Sequence, residues 1–379
     1  MLVVFRTDAS MQIGTGHVMR CLALASALQT QGATCHFICR EHAGNLIDLL
    51  KARGFTTHRL PQKEGDIDIV VDPGAEHELA HAHWLGASWK EDAEVCKPTM
   101  AELSPNWLVI DHYALDYRWE RSVLDSLTGS RPQLLVIDDL ADRSHVANVL
   151  LDQNAGRTAE DYKGLVPAGC DLRIGPAHAL LRPEFTELRE QALARRQALS
   201  RPERLLITLG GIDKDNVTAV VLAALAQAPV AQGLRVTVVM GDSAPHLEAV
   251  RAKAAAMTIP TELVIGVSDM AERMMRADLC IGAVGSTAWE RCAMGLPTLQ
   301  VVLADNQIGA AQAMAAQGVS LALPLPSAPD FAAALSAGLE QLFRASVYRA
   351  IAFGAAAVTD GLGSARLVAQ LERMGDTCV

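Results

Sequence analysis

The sequence predicts an α/β protein with two Rossmann-like domains that face each other across a cleft. Three observations support this fold class. Short apolar runs alternate with helical patterns along the chain, the alternation lapses once near the middle, and the length of 379 residues is about twice that of a typical domain. Half of the residues are hydrophobic, so both domains can bury a large core.

The first half contains five apolar runs that predict parallel strands: Leu2–Phe5, Thr34–Cys39, Ile67–Val71, Trp107–Ile110 and Leu134–Ile137. Between the first two runs, apolar residues at i, i+4, i+7 and i+10 predict a helix: Val18, Leu22, Ala25 and Leu28. Strands that are apolar almost throughout are typical of a sheet covered on both faces. Residues 1–170 are therefore expected to form the N-terminal domain.

The pattern lapses in a proline-containing and then charged stretch, and residues 171–202 are expected to connect the domains. It resumes with five further predicted strands: Arg204–Leu209, Val236–Met240, Glu262–Ile265, Leu279–Ile281 and Thr298–Val302. Residues 203–379 are expected to form the C-terminal domain. Its last helices, after Pro329, either close this domain or return to the first one.

Composition excludes several classes of function. The formal net charge of −10 leaves no basic surplus for holding nucleic acid. The longest uncharged stretch, Asn306–Pro329, contains Gln, Gly and Pro and is not expected to span a membrane. The first residues lack a signal-peptide pattern, and the eight cysteines form no CxxC pair. We expect a cytoplasmic monomer without metal or cofactor.

A glycine-containing loop follows the first predicted strand and leads into the first helix. Glycines at such a turn let backbone N–H groups approach a phosphate, although Met19 stands where a dinucleotide-binding motif needs its third glycine. His17 lies at the helix start, where the helix dipole favours a neutral imidazole that can accept a proton. The alternative is a histidine that only caps or packs under the turn. Five residues of this region are expected to bind substrate: Arg6, Asp8, Ser10, Gly14 and Gly16.

Carboxylates end two of the predicted buried strands, at Asp111 and at Asp138–Asp139. Such residues can bind a metal, orient a base or cap the following helix. Ligands of parallel α/β sheets bind beyond the carboxyl ends of the strands. Asp139 is therefore expected to contribute to substrate binding.

Two glycine loops in the second half also follow predicted strands, and their glycines and hydroxyl residues suit a diphosphate: Gly210, Gly211, Gly285, Ser286 and Thr287. Glu290 stands three residues after Thr287. This spacing fits a capping box at the helix start, and it equally fits a carboxylate that accepts hydrogen bonds from the two hydroxyls of a ribose.

One motif points to different chemistry. Residues His77–His81 match HExxH, whose two histidines would share a helical face and bind zinc. Nothing in the surrounding pattern suggests a metalloprotease, so we expect the match to be fortuitous.

Taken together, eight segments resemble the UDP-sugar hydrolases of the pseudaminic acid pathway: RTDASMQIGTGHVMRCLALA (6–25), DHYALDYRWE (111–120), IDDLADRSH (137–145), LLDQN (150–154), HALLRPEF (178–185), TLGGID (208–213), IGAVGSTAWERCAMGLP (281–297) and LADNQ (303–307). They cover nearly the whole chain, and segment 61–102 is the part least similar to the family. The family in turn resembles B-type glycosyltransferases, such as the N-acetylglucosaminyltransferase of peptidoglycan synthesis.

The resemblance implies a B-type glycosyltransferase fold and hydrolysis of UDP-2,4-diacetamido-2,4,6-trideoxy-β-L-altropyranose. It implies that His17 is the general base, that Tyr113 and Asn306 complete the catalytic group by lining the sugar site, and that Glu290 binds the ribose. Gln307, in the last segment, is expected to bind substrate. A UDP-sugar-dependent glycosyltransferase and a noncatalytic nucleotide-sugar binding protein are the alternatives.

Overall fold

A computed structural model describes residues 1–62, 79–304 and 307–376, with the side chain of Asp376 left out. The chain forms two units. Unit 1 contains the residues up to Leu180 together with those from Ser364 onward, and unit 2 comprises Leu181–Gly363. The stretch 171–202, expected to be a connection, is divided between the units after Leu180.

A parallel sheet organises unit 1. Its strands among the described residues are β1 (Leu2–Thr7), β2 (Thr34–Arg40), β3 (Thr56–Leu60), β4 (Trp107–Asp111), β5 (Gln133–Ile137), β6 (Val149–Asp152) and β7 (Asp171–Ile174), in the spatial order β3-β2-β1-β4-β5-β6-β7. The helices between them are α1 (Gly16–Thr30), α2 (Ile47–Ala52), α3 (Trp89–Leu103) and α4 (Tyr117–Leu124).

Alternate residues of each strand enter the cores on the two faces of this sheet. Val3 and Phe5 pack with α1 on one face, whereas Val4 packs with α3 and α4 on the other. The strands are therefore apolar almost throughout, as expected for a sheet covered on both faces. The loop between β1 and α1 carries polar residues and lies at the carboxyl end of β1.

Most predicted strands of the first half are confirmed, with bounds that differ by one or two residues. The prediction missed β3, β6 and β7. Strands β3 and β7 lie at the two edges of the sheet and carry polar, partly exposed residues, whereas β6 is a buried apolar run of four residues that was overlooked. The predicted strand Ile67–Val71 lies outside the described residues.

Unit 2 begins with two helices, α5 (Pro183–Glu187) and α6 (Arg189–Ala198). Its described strands are β8 (Arg204–Thr208), β9 (Arg235–Met240), β10 (Thr261–Ile265), β11 (Leu279–Ala283), β12 (Thr298–Val301) and β13 (Leu321–Ala322), in the parallel order β10-β9-β8-β11-β12-β13. The helices that follow α6 are α7 (Val217–Ala226), α8 (Leu247–Ala255), α9 (Met270–Arg276), α10 (Ser286–Ala293), α11 (Ile308–Ala316), α12 (Phe331–Leu342) and α13 (Ala345–Val358).

The five predicted strands of the second half are confirmed, and only the two-residue β13 was missed. Leu205 and Ile207 of β8 pack with apolar residues of α7, α8 and α12 in one continuous core. The fold class is thus two α/β units, each with its own parallel sheet.

The last helix, α14 (Gly363–Asp376), packs in unit 1. Leu367 and Leu371 join the core that contains α1, and the indole N–H of Trp107 donates to the carbonyl of Leu371 at 3.3 Å. The return of the last helices to the first domain was one of two arrangements that the sequence left open.

One stretch, Ala345–Gly375, is long and apolar enough to cross a membrane by length and composition alone. It consists of the two helices α13 and α14, and half of its most apolar window is buried within the protein. Helices of a buried core pass the same test.

A buried ionic network lies beneath the loop that follows β1. Asp92 of α3 accepts hydrogen bonds from Arg6 at 2.7 Å, from Arg40 at 2.5 Å and from the indole N–H of Trp119 at 2.9 Å. None of the Asp92 surface is exposed. The carboxylate therefore compensates two buried guanidinium groups at once.

Replacing Asp92 by alanine is expected to lower the free energy of unfolding by about 3–5 kcal/mol, because it leaves buried cations without their partner. Urea denaturation checks this value. Asp125→Ala serves as the control, since the Asp125 side chain is 63 % exposed, and its effect is expected to stay within about 0.5 kcal/mol. An equally small effect of the Asp92 change would contradict the role of the network.

Candidate active site

The loop between β1 and α1 is shaped by its own hydrogen bonds. Gly14 has a φ of +79°, which favours glycine, and its N–H donates to the carbonyl of Ser10 at 2.8 Å. The Ser10 hydroxyl oxygen accepts from the backbone N–H groups of Gln12 and Ile13. Ser10, expected to bind substrate, thus folds the loop. Gly16 opens helix α1 and places His17 in its first turn.

His17 is paired with a carboxylate. Its Nδ1 lies 2.5 Å from Oδ1 of Asp111, the last residue of β4. Burial raises the pKa of the Asp111 carboxyl, but Arg20 and then His17 outweigh it and hold this pKa well below its usual range. An ionised Asp111 accepts the Nδ1 proton, which leaves Nε2 as the acceptor nitrogen of the neutral ring. Of the roles considered for strand-end acids, Asp111 thus takes that of orienting a neighbouring side chain, the His17 ring.

Arg20 connects this pair to a second carboxylate. Its Nε and Nη2 donate to the two oxygens of Asp111 at 2.6 and 2.7 Å, and its Nη1 donates to Asp139 at 2.6 Å. Sequence reasoning missed Arg20. The available signal was its position three residues after His17, which puts both side chains on one face of α1.

Tyr113 lies beside His17 and is held by Asp139. The two rings meet edge to face with centroids 4.5 Å apart, and the Tyr113 hydroxyl donates to Oδ2 of Asp139 at 2.6 Å. Burial, with the nearby Asp139 charge, raises the pKa of Tyr113 well above its ordinary value, so the phenol is neutral. The structure therefore brings together three of the residues selected from the sequence: His17, Tyr113 and Asp139.

Two of the expected substrate-binding residues require a correction. Arg6 and Asp8 have no exposed surface, so neither can touch a ligand in this structure. Arg6 pairs with Asp8 at 2.8 Å, and Asp8 also accepts from the backbone N–H of Arg40 at 2.6 Å. These two residues belong to the buried ionic network beneath the loop. The sequence could not reveal this, because the partners Arg40 and Asp92 are distant along the chain.

In unit 2, helix α10 follows β11 through the predicted glycine loop. Gly285 is its N-cap residue and no side chain caps it, so Ser286 and Thr287 open a helix whose first N–H groups have no side-chain acceptor. Behind the loop, the guanidinium of Arg291 donates to the carbonyl of Ala283 at 2.7 Å and to the Thr287 hydroxyl at 3.2 Å. An uncapped helix start of this kind suits an anion.

The other glycine loop differs. Gly210 has a φ of +93°, and the carbonyl of Gly211 accepts the N–H of Gly241 at 2.9 Å. The Asp213 carboxylate accepts the backbone N–H groups of Val217 and Thr218 and so caps α7. The first N–H groups of α7 are already used, and the start of α10 is the better candidate for binding a diphosphate.

Glu290 does not form the capping box that its spacing allowed. Thr287 lies inside α10, with Gly285 as the N-cap residue. The Glu290 carboxylate lies 3.7 Å from the guanidinium of Arg182. Burial raises the pKa of Glu290, and Arg182 and Arg291 oppose this shift. A partly buried carboxylate with free acceptor capacity fits the alternative, a group that binds hydroxyls.

Of the last two selected residues, Asn306 and Gln307, the structure describes Gln307. The side-chain oxygen of Gln307 accepts the backbone N–H of Leu303 at 2.9 Å and closes the loop after β12. Asn306 lies outside the described residues, as do His77 and Glu78 of the HExxH match. Within the part of the chain that the structure describes, no group of three or more His, Cys, Asp or Glu residues could hold a metal ion.

Two proteins that are similar to this chain carry the names of UDP-sugar enzymes. It is 27 % identical to the UDP-2,4-diacetamido-2,4,6-trideoxy-beta-L-altropyranose hydrolase of Campylobacter jejuni, over 84 % of this chain and 97 % of that protein. It is 36 % identical to a UDP-N-acetylglucosamine--N-acetylmuramyl-(pentapeptide) pyrophosphoryl-undecaprenol N-acetylglucosamine transferase of Aromatoleum aromaticum, over 35 % of this chain and 38 % of that protein. No family model matches.

The crystal structure of MurG from Acinetobacter baumannii has a TM-score of 0.66 with this chain, at 18 % identity, and the match covers 98 % of this chain and 99 % of that one. The predicted resemblance is confirmed. At this identity the structural likeness concerns the fold, which is the predicted fold of B-type glycosyltransferases.

A third carboxylate lies near Asp139 in unit 1. Asp152, the last residue of β6, accepts hydrogen bonds from the backbone N–H of Asn154 and from the hydroxyl of Tyr162, both at 2.8 Å. Burial first, and then the charge of Asp139, raise the pKa of Asp152 from an ordinary value near 3.8 to about 7. The folded protein therefore holds a proton on Asp152 that the unfolded chain releases near pH 4.

The raised pKa of Asp152 stabilises the folded protein by about 4 kcal/mol at most. This stabilisation is complete below pH 4 and is lost as the pH rises towards 7. Asp152→Asn removes it. Thermal unfolding should therefore show that the variant gains stability relative to the parent between pH 5 and 8.5. Asp48→Asn, at a side chain that is 94 % exposed, should show no such trend. A difference for Asp152→Asn that does not change with pH would contradict the raised pKa.

Proposed function

We propose that the chain is a UDP-sugar-processing enzyme, and more specifically a hydrolase that releases UDP from UDP-2,4-diacetamido-2,4,6-trideoxy-β-L-altropyranose. The broader class is supported by two similar proteins whose names are those of UDP-sugar enzymes. The hydrolase proposal rests on the pairing of His17 with Asp111 at 2.5 Å, because hydrolysis needs a base that accepts a proton from water. A cytoplasmic location and a monomeric state stay predictions.

In the proposed reaction, His17 and helix α10 have different tasks. Nε2 of His17 accepts a proton from water while the water oxygen forms a bond to the anomeric carbon. The bond between that carbon and the bridging oxygen breaks, and its electron pair leaves with UDP. The Asp111 carboxylate stabilises the imidazolium that forms.

The nucleotide half of the substrate is assigned to unit 2. The uncapped start of α10 at Gly285, Ser286 and Thr287 would bind the diphosphate and stabilise its charge as it leaves. Glu290 would accept hydrogen bonds from the ribose hydroxyls. No step needs a covalent intermediate or a metal ion.

A glycosyltransferase is the second candidate, because the chain shares its fold with the crystal structure named MurG. Incubation of the purified protein with the diacetamido UDP-sugar, with and without sugar acceptors and with EDTA present, separates the candidates. Free sugar and UDP in the absence of an acceptor support the hydrolase, and UDP formed only with an acceptor supports the transferase. Binding without turnover supports a noncatalytic protein. Activity that EDTA removes and zinc restores would contradict the metal-independent reaction.

Replacing His17 by asparagine is expected to lower turnover about 10²–10⁴-fold, the usual contribution of a positioned base. The affinity for UDP should barely change, because the proposal assigns the nucleotide to unit 2. Steady-state kinetics and calorimetry measure the two effects. In ¹⁸O-water the parent protein should label the sugar and leave UDP unlabelled.

His246→Asn is the matched control, since this histidine precedes α8 in unit 2 and contacts the carbonyl of Lys214. Label in UDP would show attack at phosphorus. Normal turnover by the His17 variant would remove the base from this mechanism.

Glu290→Ala tests the ribose assignment. Loss of a charged acceptor should weaken UDP binding by about 1.5–3 kcal/mol, measured by calorimetry. The melting temperature should change little, because Glu290 caps no helix and the cost of burying its charge offsets its contact with Arg182. Glu340→Ala, at an exposed position of α12, controls for a general effect of removing a carboxylate. Unchanged UDP affinity in the Glu290 variant would show that this residue does not contact the ribose.

A further inference from the structure

The ring of Tyr113 is enclosed, although the sequence assigned it to the sugar site. Its residue is only 7 % exposed. The indole of Trp84 stacks on it at 5.6 Å with an angle of 22°, and the guanidinium of Arg143 lies 5.6 Å from its centre. His17 meets it edge to face. With its hydroxyl already bonded to Asp139, Tyr113 has little surface left to offer a substrate.

Two of the aromatic rings that contact Tyr113 lie at the protein surface. Trp84 and His81 are both partly exposed, and their centroids lie 4.5 Å apart at 64°. His81 also contacts the Tyr113 ring, at 5.3 Å. The surface beside the base is therefore made by Trp84 and His81, which Tyr113 supports from behind.

His81 keeps a buried nitrogen without a partner. Within the described parts of the chain, its Nδ1 is enclosed and makes no hydrogen bond. Burial, which is the largest effect, lowers the pKa of His81, so the ring is neutral at physiological pH and presents an apolar face. This histidine is the second one of the HExxH match, whose His77 and Glu78 lie outside the described residues.

The backbone holds both rings in place. Residues Ala82–Leu85 form a single turn of 3₁₀-helix, in which the N–H of Trp84 donates to the carbonyl of His81 at 2.9 Å. Leu85 is buried in the core. Gly86 then turns the chain with a φ of +69°, and a side chain there would come within 2.7 Å of His42. The positions of Trp84 and His81 are thus set by packing on both sides of the turn.

We propose that Trp84 and His81 form an aromatic wall that selects sugars with an apolar substituent at carbon 6, namely the methyl group of a 6-deoxy sugar. This inference rests on the proposed function. Flat aromatic faces bind C–H and methyl surfaces well, whereas a hydroxyl placed against them loses its hydrogen bonds to water. The wall lies in segment 61–102, the part of the chain least similar to the hydrolase family.

The test compares two substrates in four proteins. The parent, Trp84→Ala, Trp84→Phe and His81→Ala are assayed with the diacetamido-trideoxy UDP-sugar and with UDP-N-acetylglucosamine, which keeps its 6-hydroxyl. Trp84→Ala should lower kcat/KM for the deoxy sugar about 10–100-fold, mainly through KM, and should change the value for UDP-N-acetylglucosamine much less. His81→Ala should act in the same direction, and Trp84→Phe should be intermediate.

Tyr117→Ala is the matched control, because this aromatic residue of α4 is 39 % exposed and its ring contacts Arg121. It should leave both substrates unaffected, and the affinity for UDP should be the same in every protein. An equal loss for both sugars, or no loss, in a folded Trp84→Ala protein would overturn the aromatic wall while leaving the hydrolase intact. If the parent releases no UDP, the proposed function fails, and calorimetric binding of the two UDP-sugars still gives the same comparison.

Discussion

The guanidinium of Arg20 is the group on which the organisation of unit 1's site depends. Two carboxylates, Asp111 and Asp139, follow neighbouring strands, and burial alone would raise the pKa of Asp111. Arg20 donates to both and is itself 5 % exposed. Because it keeps Asp111 ionised, His17 has one tautomer, and because it keeps Asp139 in place, the phenol of Tyr113 has a fixed acceptor.

Unit 2 also has a buried arginine near the end of a strand, Arg291 beside β11. The buried guanidinium of Arg291 lies where a side chain on Gly282 would collide with it, at 2.6 Å, so the strand needs a glycine at that position. From there Arg291 donates to the carbonyl of Ala283, the last residue of β11, and to the hydroxyl of Thr287 in α10, whose start has no side-chain cap. In both units, a buried arginine near the end of a strand forms hydrogen bonds that hold the neighbouring residues of the candidate site in place.

Much of the fold was predictable, because the buried strands are nearly continuous apolar runs and α1 has a clear helical period. Strand β3 was not, since Thr56–Leu60 is polar at a sheet edge. Within the candidate site, His17 was found from its place at a strand–glycine–helix turn. The burial of Arg6 and Asp8 depends on partners distant along the chain, which spacing cannot reveal. The spacing of Arg20 from His17 indicates a shared helix face, but it cannot reveal the bond from Arg20 to Asp139. Trp84 was missed because no known motif contains it.

The packing of α14 has a consequence for the order in which the chain folds. Trp107 bonds to Leu371, 264 residues further along, and the core of unit 1 includes side chains from α14. Unit 2 is one continuous segment placed between them. During synthesis, unit 2 can close its own core first, whereas unit 1 must wait for the last helix with part of its apolar surface uncovered. Contacts of such long sequence separation slow folding, and the sheet whose face still lacks α14 is the species most exposed to aggregation.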